Sequence, residues 1–108
     1  MLKEPIDEIL IKGKRYRDPM FSANELASML GVSVWKLSRI VKKEYGMGYV
    51  EIVHECRVKD AMRHLKDERF EAYSIDDIGA MVGFGNRQSF FSAFKKIMGM
   101  TPERYRMM

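Results

Sequence analysis

Cysteine is nearly missing from this chain of 108 residues: Cys56 stands alone, which excludes an internal disulfide and suits a reducing cytoplasm. Long apolar runs are missing too. No stretch approaches the ~20 residues that a membrane-crossing helix needs, and no signal peptide heads the chain. The three prolines each mark a boundary: Pro5 suits a first helical turn, Pro19 follows Asp18 in a turn, and Pro102 follows Thr101 at a helix start. No segment shows convincing strand alternation, so an all-α fold is expected. An enzyme lacks its usual signs, because there is no glycine-rich phosphate loop, no pair of carboxylates in a plausible pocket and no nucleophile–base pair. Metal binding is disfavoured as well. His54 and Cys56 are two apart, point different ways on a helix and cannot share an ion. No catalytic residue, cofactor or metal is therefore expected. Charge is not strongly one-sided either: 19 Lys and Arg against 15 Asp and Glu give +4 and a pI near 9.3. Where the cations lie matters more than their sum.

What is present is a long helical stretch between two copies of one pattern. Gly48–Lys66, GYVEIVHECRVKDAMRHLK, holds no internal glycine or proline. It predicts one helix of roughly 28 Å at about 1.5 Å per residue. Val50, Val53, Val58, Ala61 and Leu65 predict its buried stripe, which Arg57 interrupts. The role of Arg57, whether toward an internal acid, a carbonyl or a phosphate, stays open. Before this helix lies Ser22–Gly46 and after it Ser74–Gly99. Up to the turn the copies align at an offset of 52, pairing Leu26 with Ile78, Met29 with Met81, Leu30 with Val82 and Gly31 with Gly83. Beyond the turn the offset is 53, pairing Leu37 with Phe90, Val41 with Phe94, Lys42 and Lys43 with Lys95 and Lys96, and Gly46 with Gly99. Two small modules joined by a rod follow from this repetition.

The segments divide as 1–21, an N-terminal amphipathic helix ended by Gly13 and followed by a basic turn (Lys12, Lys14, Arg15, Arg17); 22–46, the first module; 47–73, the long helix and a polar connection pinned by Phe70 and Tyr73; and 74–108, the second module and a final helix Pro102–Arg106. In the first module Ser22 and Glu25 form a capping box, and Leu26, Met29 and Leu30 face inward. Gly31 makes the turn and Ser33 caps the next helix, Val34–Tyr45. On a helical wheel Leu37, Ile40, Val41 and Glu44 share one arc; Trp35, Lys36, Ser38, Arg39, Lys42 and Lys43 fill the other. Four cations around a tryptophan suit a face that reads nucleic acid. In the second module Ser74 and Asp77 repeat the box, and Ile78, Met81 and Val82 face inward. Gly79 permits close helix approach, and Asn86 caps Arg87–Met98. There Phe90, Ala93, Phe94 and Ile97 form the core arc, with Gln88, Ser89, Ser92, Lys95 and Lys96 outward and Phe91 at the margin. Helix, tight glycine turn, helix is a helix-turn-helix skeleton, present twice.

These residues together resemble the DNA-binding domain of AraC/XylS-type bacterial transcription regulators, from Phe21 to Arg106. The resemblance rests on Leu26-Ala27, Gly31-Val32-Ser33, Leu37-Ser38-Arg39 and Arg57, Ala61 and Leu65. Its strongest part is Ile78-Gly79-Ala80-Met81-Val82-Gly83-Phe84, then Phe90, Phe94-Lys95-Lys96, Gly99 and Thr101-Pro102-Glu103-Arg104-Tyr105-Arg106. It implies seven helices, two helix-turn-helix units, a linker helix, and recognition helices that enter major grooves. Carried over by position, it implies base reading by Trp35, Lys36 and Arg39 in the first unit and by Gln88, Ser89 and Ser92 in the second. Ser38 and Arg87 are secondary base-reading candidates, and Lys42, Lys43, Lys95 and Lys96 are the phosphate candidates. Ser92 stands where many members carry arginine, and Gly79 where alanine is usual.

The expected partner is double-stranded DNA, with RNA polymerase as a further candidate and no membrane for this segment. Members usually append a sensory or dimerisation domain, so the expected whole is a larger cytoplasmic regulator of which this is the DNA-binding portion. The competing class is a protein-interaction adaptor, to which ten methionines could give plastic surfaces. Against it stand Met29, Met81 and Met98, which fall on core arcs and so are expected to be fillers.

Overall fold

The computed structural model describes residues 2–108; Met1, the first residue of the expected N-terminal segment, lies outside them. Seven α-helices and no strand are found among the described residues. They form two compact units, one running to Val53 and the other His54–Met108.

The first unit opens with α1, Lys3–Ile6, which widens into a π-helical stretch, Asp7–Lys12. Ile6 and Leu10 are fully buried. The helix ends at Gly13 as expected, but the left-handed residue is Lys14. A short 3-10 turn, Arg15–Arg17, buries Tyr16, and the Arg15 guanidinium lies 5.4 Å over Phe21. So part of the basic cluster is packed on an aromatic ring. Helix α2, Ala23–Leu30, starts where the Ser22 hydroxyl accepts the Glu25 N–H, the forward half of the expected box. Gly31 then takes φ 69°, a left-handed turn that an L side chain resists, and Ser33 caps α3, Val34–Tyr45. Leu26 and Ala27 of α2 and Leu37 and Val41 of α3 are buried. The Tyr45 hydroxyl donates to Asp7 and to the Lys3 carbonyl, tying the end of α3 to the first helix. That hydroxyl is the main reason the Asp7 carboxyl sits below its ordinary range, with Lys3 adding to the effect.

Helix α4, Tyr49–Lys66, gives its first turn to this unit and its remainder to the second. The expected stripe needs one correction: Val50 is 62% exposed and Ile52 is buried instead. Val50 is two residues from Ile52, about 200° around the helix, so burying one exposes the other. Arg57 is buried and lies 5.5 Å over the Phe84 ring, which places it inside the fold rather than at a phosphate. Asp60, which no sequence pattern marks, is an acid that is 1% exposed, accepts a bond from Arg63 and lies beside His64.

The second unit has a continuous core of Val58, Ala61, Leu65, Ile78, Val82, Phe84, Phe90, Ala93 and Phe94. The connection to it is pinned, as expected, by aromatics: Phe70 packs edge-on against His64 at 4.4 Å and lies tilted against Tyr73 at 5.5 Å. Arg106 adds bonds to the Phe70 and Tyr73 carbonyls. Both halves of the Ser74–Asp77 box form at the start of α5, Ile75–Met81. Asn86 caps α6, Arg87–Met98, and Thr101 caps α7, Pro102–Met107. Gly79 is fully used: a Cβ there would lie 2.5 Å from the Phe90 ring. Four inward placements fail. Met29 is 50% exposed, Met81 37% and Ile97 41%, while Leu30 is only half-buried. Helices α2 and α5 are short and seat their central pairs, Leu26–Ala27 and Ile78–Gly79. Met29 and Met81, at matching places in the two copies, fall at the margin. In the last turn of α6, Met98 rather than Ile97 packs on the core.

Candidate nucleic-acid interface

The first candidate face is built on α3. Because Leu37 and Val41 turn inward, Trp35, Lys36, Ser38, Arg39, Lys42 and Lys43 are all turned out. Trp35 is 80% exposed and so is not packed away against a neighbouring element. With Ser33, Lys36, Arg39, Ile40 and Lys43, its ring lines an open groove of about 510 Å³. The capped start of α3, with the Lys36 N–H bonded to the Ser33 hydroxyl, points its remaining N–H groups and positive dipole end the same way as the helix entry.

The second candidate face is built on α6. Arg87, Gln88, Ser92, Lys95 and Lys96 are exposed, whereas Ser89 is half-buried and its N–H is held by the Asn86 side chain. Phe91 is half-buried, packed against the core and covered by Arg87, whose guanidinium carbon lies 4.4 Å from the ring centre. It serves the core and the arginine rather than standing free for a base. Arg87 also donates to both Asp76 oxygens, at 2.8 and 2.9 Å.

Several cations elsewhere are paired with a carboxylate: Lys3 with Asp7, Lys12 with Glu8, Lys59 with Glu55, Arg63 with Asp60 and Arg69 with Asp67. The Arg69 bonds pull the Asp67 carboxyl down to about 2. Among the described residues, Lys36, Arg39, Lys42, Lys43, Lys95 and Lys96 make no such ion pair. Positive charge is thus left without an internal carboxylate on the two outward faces, where it favours the approach of a polyanion. Near the second face His54 is held below its ordinary pKa, first by burial and then by Arg57 and Lys96.

Sequence reasoning located both faces but missed Asp76 as the partner of Arg87. A signal was there. At the repeat offsets Asp76 matches Asn24 and Arg87 matches Val34, so both charges are particular to the second copy. No cluster of three His, Cys, Asp or Glu that could hold a metal occurs among the described residues. Nor is any described helix long and apolar enough to cross a membrane.

Known proteins share this architecture. The chain is 28% identical over 102 residues to the HTH-type transcriptional activator AarP of Providencia stuartii, covering 94% of this chain and 73% of that protein. Against three other curated relatives it spans only 19%, 38% and 23% of their length. The C-terminal domain of the two-component response regulator yesN from Fusobacterium nucleatum superposes with a TM-score of 0.83 at 31% identity, over 96% of each chain. The DNA-binding domain of AdpA, solved with a target DNA, shares the fold with a TM-score of 0.83 at 22% identity, over 95% of this chain and 90% of that one. The family model described as a helix-turn-helix domain matches residues 26–108. With the family model matching well over half of its length, the chain belongs to the AraC-type helix-turn-helix family.

Proposed function

We propose that this chain binds double-stranded DNA sequence-specifically and thereby regulates transcription. The observation that carries the reading is the outward face of α3, where an 80% exposed tryptophan sits among cations that no carboxylate neutralises. Two of the similar proteins support it by what they are: AarP is a transcriptional activator and AdpA's domain was solved on a target DNA. Base reading belongs to Trp35, Lys36 and Arg39 in the first unit and to Gln88, Ser89 and Ser92 in the second, with Ser38 and Arg87 beside them. Lys42, Lys43, Lys95 and Lys96 are the phosphate contacts, joined by the N-termini of the recognition helices. Each unit would place its helix in a major groove. The two faces differ in side chains, so the DNA site is asymmetric.

On this reading residues 22–46 and 74–108 are the reading modules, 47–73 links them and 1–21 completes the first lobe. The site of action is the cytoplasm, and RNA polymerase is the protein partner that a transcription regulator of this kind would meet. A sensory or dimerisation domain in a larger regulator completes the proposal. The exposure of Met29 and Met81 removes one argument against an adaptor, but an adaptor has no use for two uncompensated cationic helix faces.

The test is a salt titration of binding to a selected duplex. Four lysine–phosphate contacts give a log–log slope of about −3.6, or roughly a 10²-fold loss of affinity between ~50 and ~200 mM salt. Binding that ignores salt, or no preference among duplexes, overturns the reading.

A further inference from the structure

Arg87 is the first residue of α6, and its guanidinium is fixed from two directions. Its Nη1 donates to both oxygens of Asp76, on the first turn of α5, at 2.8 and 2.9 Å. Its plane lies over Phe91 at 4.4 Å, and Phe91 in turn meets the fully buried Phe90 ring at 5.9 Å. The arginine is therefore held by a carboxylate on one edge and, through one ring, by the core beneath. A guanidinium has five N–H donors in a fixed plane. With Nη1 spent on Asp76, the Nε–H and Nη2–H remain, and these form the side fork that matches the O6 and N7 of guanine. Both charges are half-exposed, so the pair costs little to form and does little for stability.

The repeat sharpens the point. The first unit carries its arginine at Arg39; the matching position in the second is Ser92. The second unit carries an arginine at Arg87 instead, together with an acid that the first unit lacks. Resting on the DNA-binding reading, we propose that Asp76 is a positioning residue for base readout: it holds Arg87 with its free fork presented to guanine, next to the base contacted by Gln88. The acid also disfavours collapse of Arg87 onto a phosphate, because the carboxylate would follow it toward negative charge.

The experiment is selection from random duplexes, followed by affinities on single-base variants, for the wild type, Asp76→Ala, Asp76→Asn, Arg87→Ala and the double variant. The wild type should prefer guanine at one position in the segment read by the second unit, by about 5- to 150-fold, the range for a bidentate arginine contact. Arg87→Ala should abolish that preference. Asp76→Ala should reduce it by about 3- to 10-fold, leave the preferences of the first segment unchanged and add nothing in the Arg87→Ala background. Asp76→Asn, which keeps one acceptor oxygen, should fall between. A merely structural role would lower affinity on every sequence or shift the melting temperature, not one base preference. The inference falls if Asp76→Ala leaves the guanine preference intact, or if it tightens binding to all sequences alike, the mark of a simple repulsive charge. If the wild type selects no sequence at all, the DNA-binding reading itself falls; if it selects sites without this guanine, only the inference does.

Discussion

The two helix-turn-helix units share a plan and differ in how they are filled. In the first unit α2 and α3 bury the aliphatic Leu26, Leu37 and Val41, and the outer face carries Trp35, Lys36 and Arg39. In the second unit three phenylalanines, Phe84, Phe90 and Phe94, join the aliphatic core, and Gly79 is needed to let Phe90 in. Its outer face is shorter in reach and holds its first-turn arginine in place with Asp76. One unit turns long side chains outward with no carboxylate partner; the other puts aromatic bulk inside and holds its first-turn arginine against Asp76. A shared pattern thus places the outward residues, while packing across elements settles which of them are held.

The largest effect that would break this comparison concerns readout. Arg39→Ala should weaken binding to a matched duplex by roughly 1–3 kcal/mol and relax preference at one or two base pairs. Ser92→Ala should change little, and Lys95→Ala should weaken all sequences alike. Affinities on matched and singly mismatched duplexes decide it, and equal losses of preference from Ser92→Ala and Arg39→Ala would erase the distinction.

A somewhat smaller effect concerns packing. Gly79→Ala gains about 1 kcal/mol in helix propensity, yet its Cβ would meet the Phe90 ring at 2.5 and 2.9 Å. Overpacking of a closed core costs roughly 1–3 kcal/mol, so a net loss of stability is expected. At the matching place in the first unit, Ala27→Gly should also lose about 1 kcal/mol in propensity, with the loss of a buried methyl added and no overpacking involved. Denaturant unfolding of both variants separates the two causes, since only Gly79→Ala should be relieved by a smaller residue at Phe90.

The smallest effect concerns pH. Both histidines lie in the second unit, and His54 has its pKa lowered from 6.5, first by burial. Well above pH 6.5 it is neutral both folded and unfolded and contributes no slope. As the pH falls below 6.5 the unfolded chain takes up the proton first, so stability declines until the folded pKa is passed. Replacing His54 with Gln should flatten that part of a stability–pH curve between pH 7.5 and 5; an unchanged curve would show that His54 is not the source.

Much of the candidate site could be read from the sequence because it depends on helical phase. Once Leu37 and Val41 are inward, Trp35, Arg39 and Lys43 have nowhere to go but out. The caps Ser22, Ser33, Ser74 and Asn86 were legible for the same local reason, since each bonds an N–H only three residues on. Phase fails at the ends of helices and at their margins. Met29, Met81 and Ile97 lie in the last turns of α2, α5 and α6 and stay partly exposed, while Val50, in the first turn of α4, is turned out by the burial of Ile52. The Asp76–Arg87 pair spans eleven residues and two helices, so no local rule could join it.

By itself the sequence determined the doubled helix-turn-helix plan, the capped starts and the cationic helix faces, because propensity, capping and 3.6-residue phase all act within a turn or two of chain. Only the tertiary structure decided that Arg57 lies inside against Phe84, that Asp60 is buried, that Gly79 is the seat of Phe90 and that Arg87 is held by Asp76. Those outcomes depend on which surfaces meet across elements, and dense packing allows one arrangement where local preference allows several.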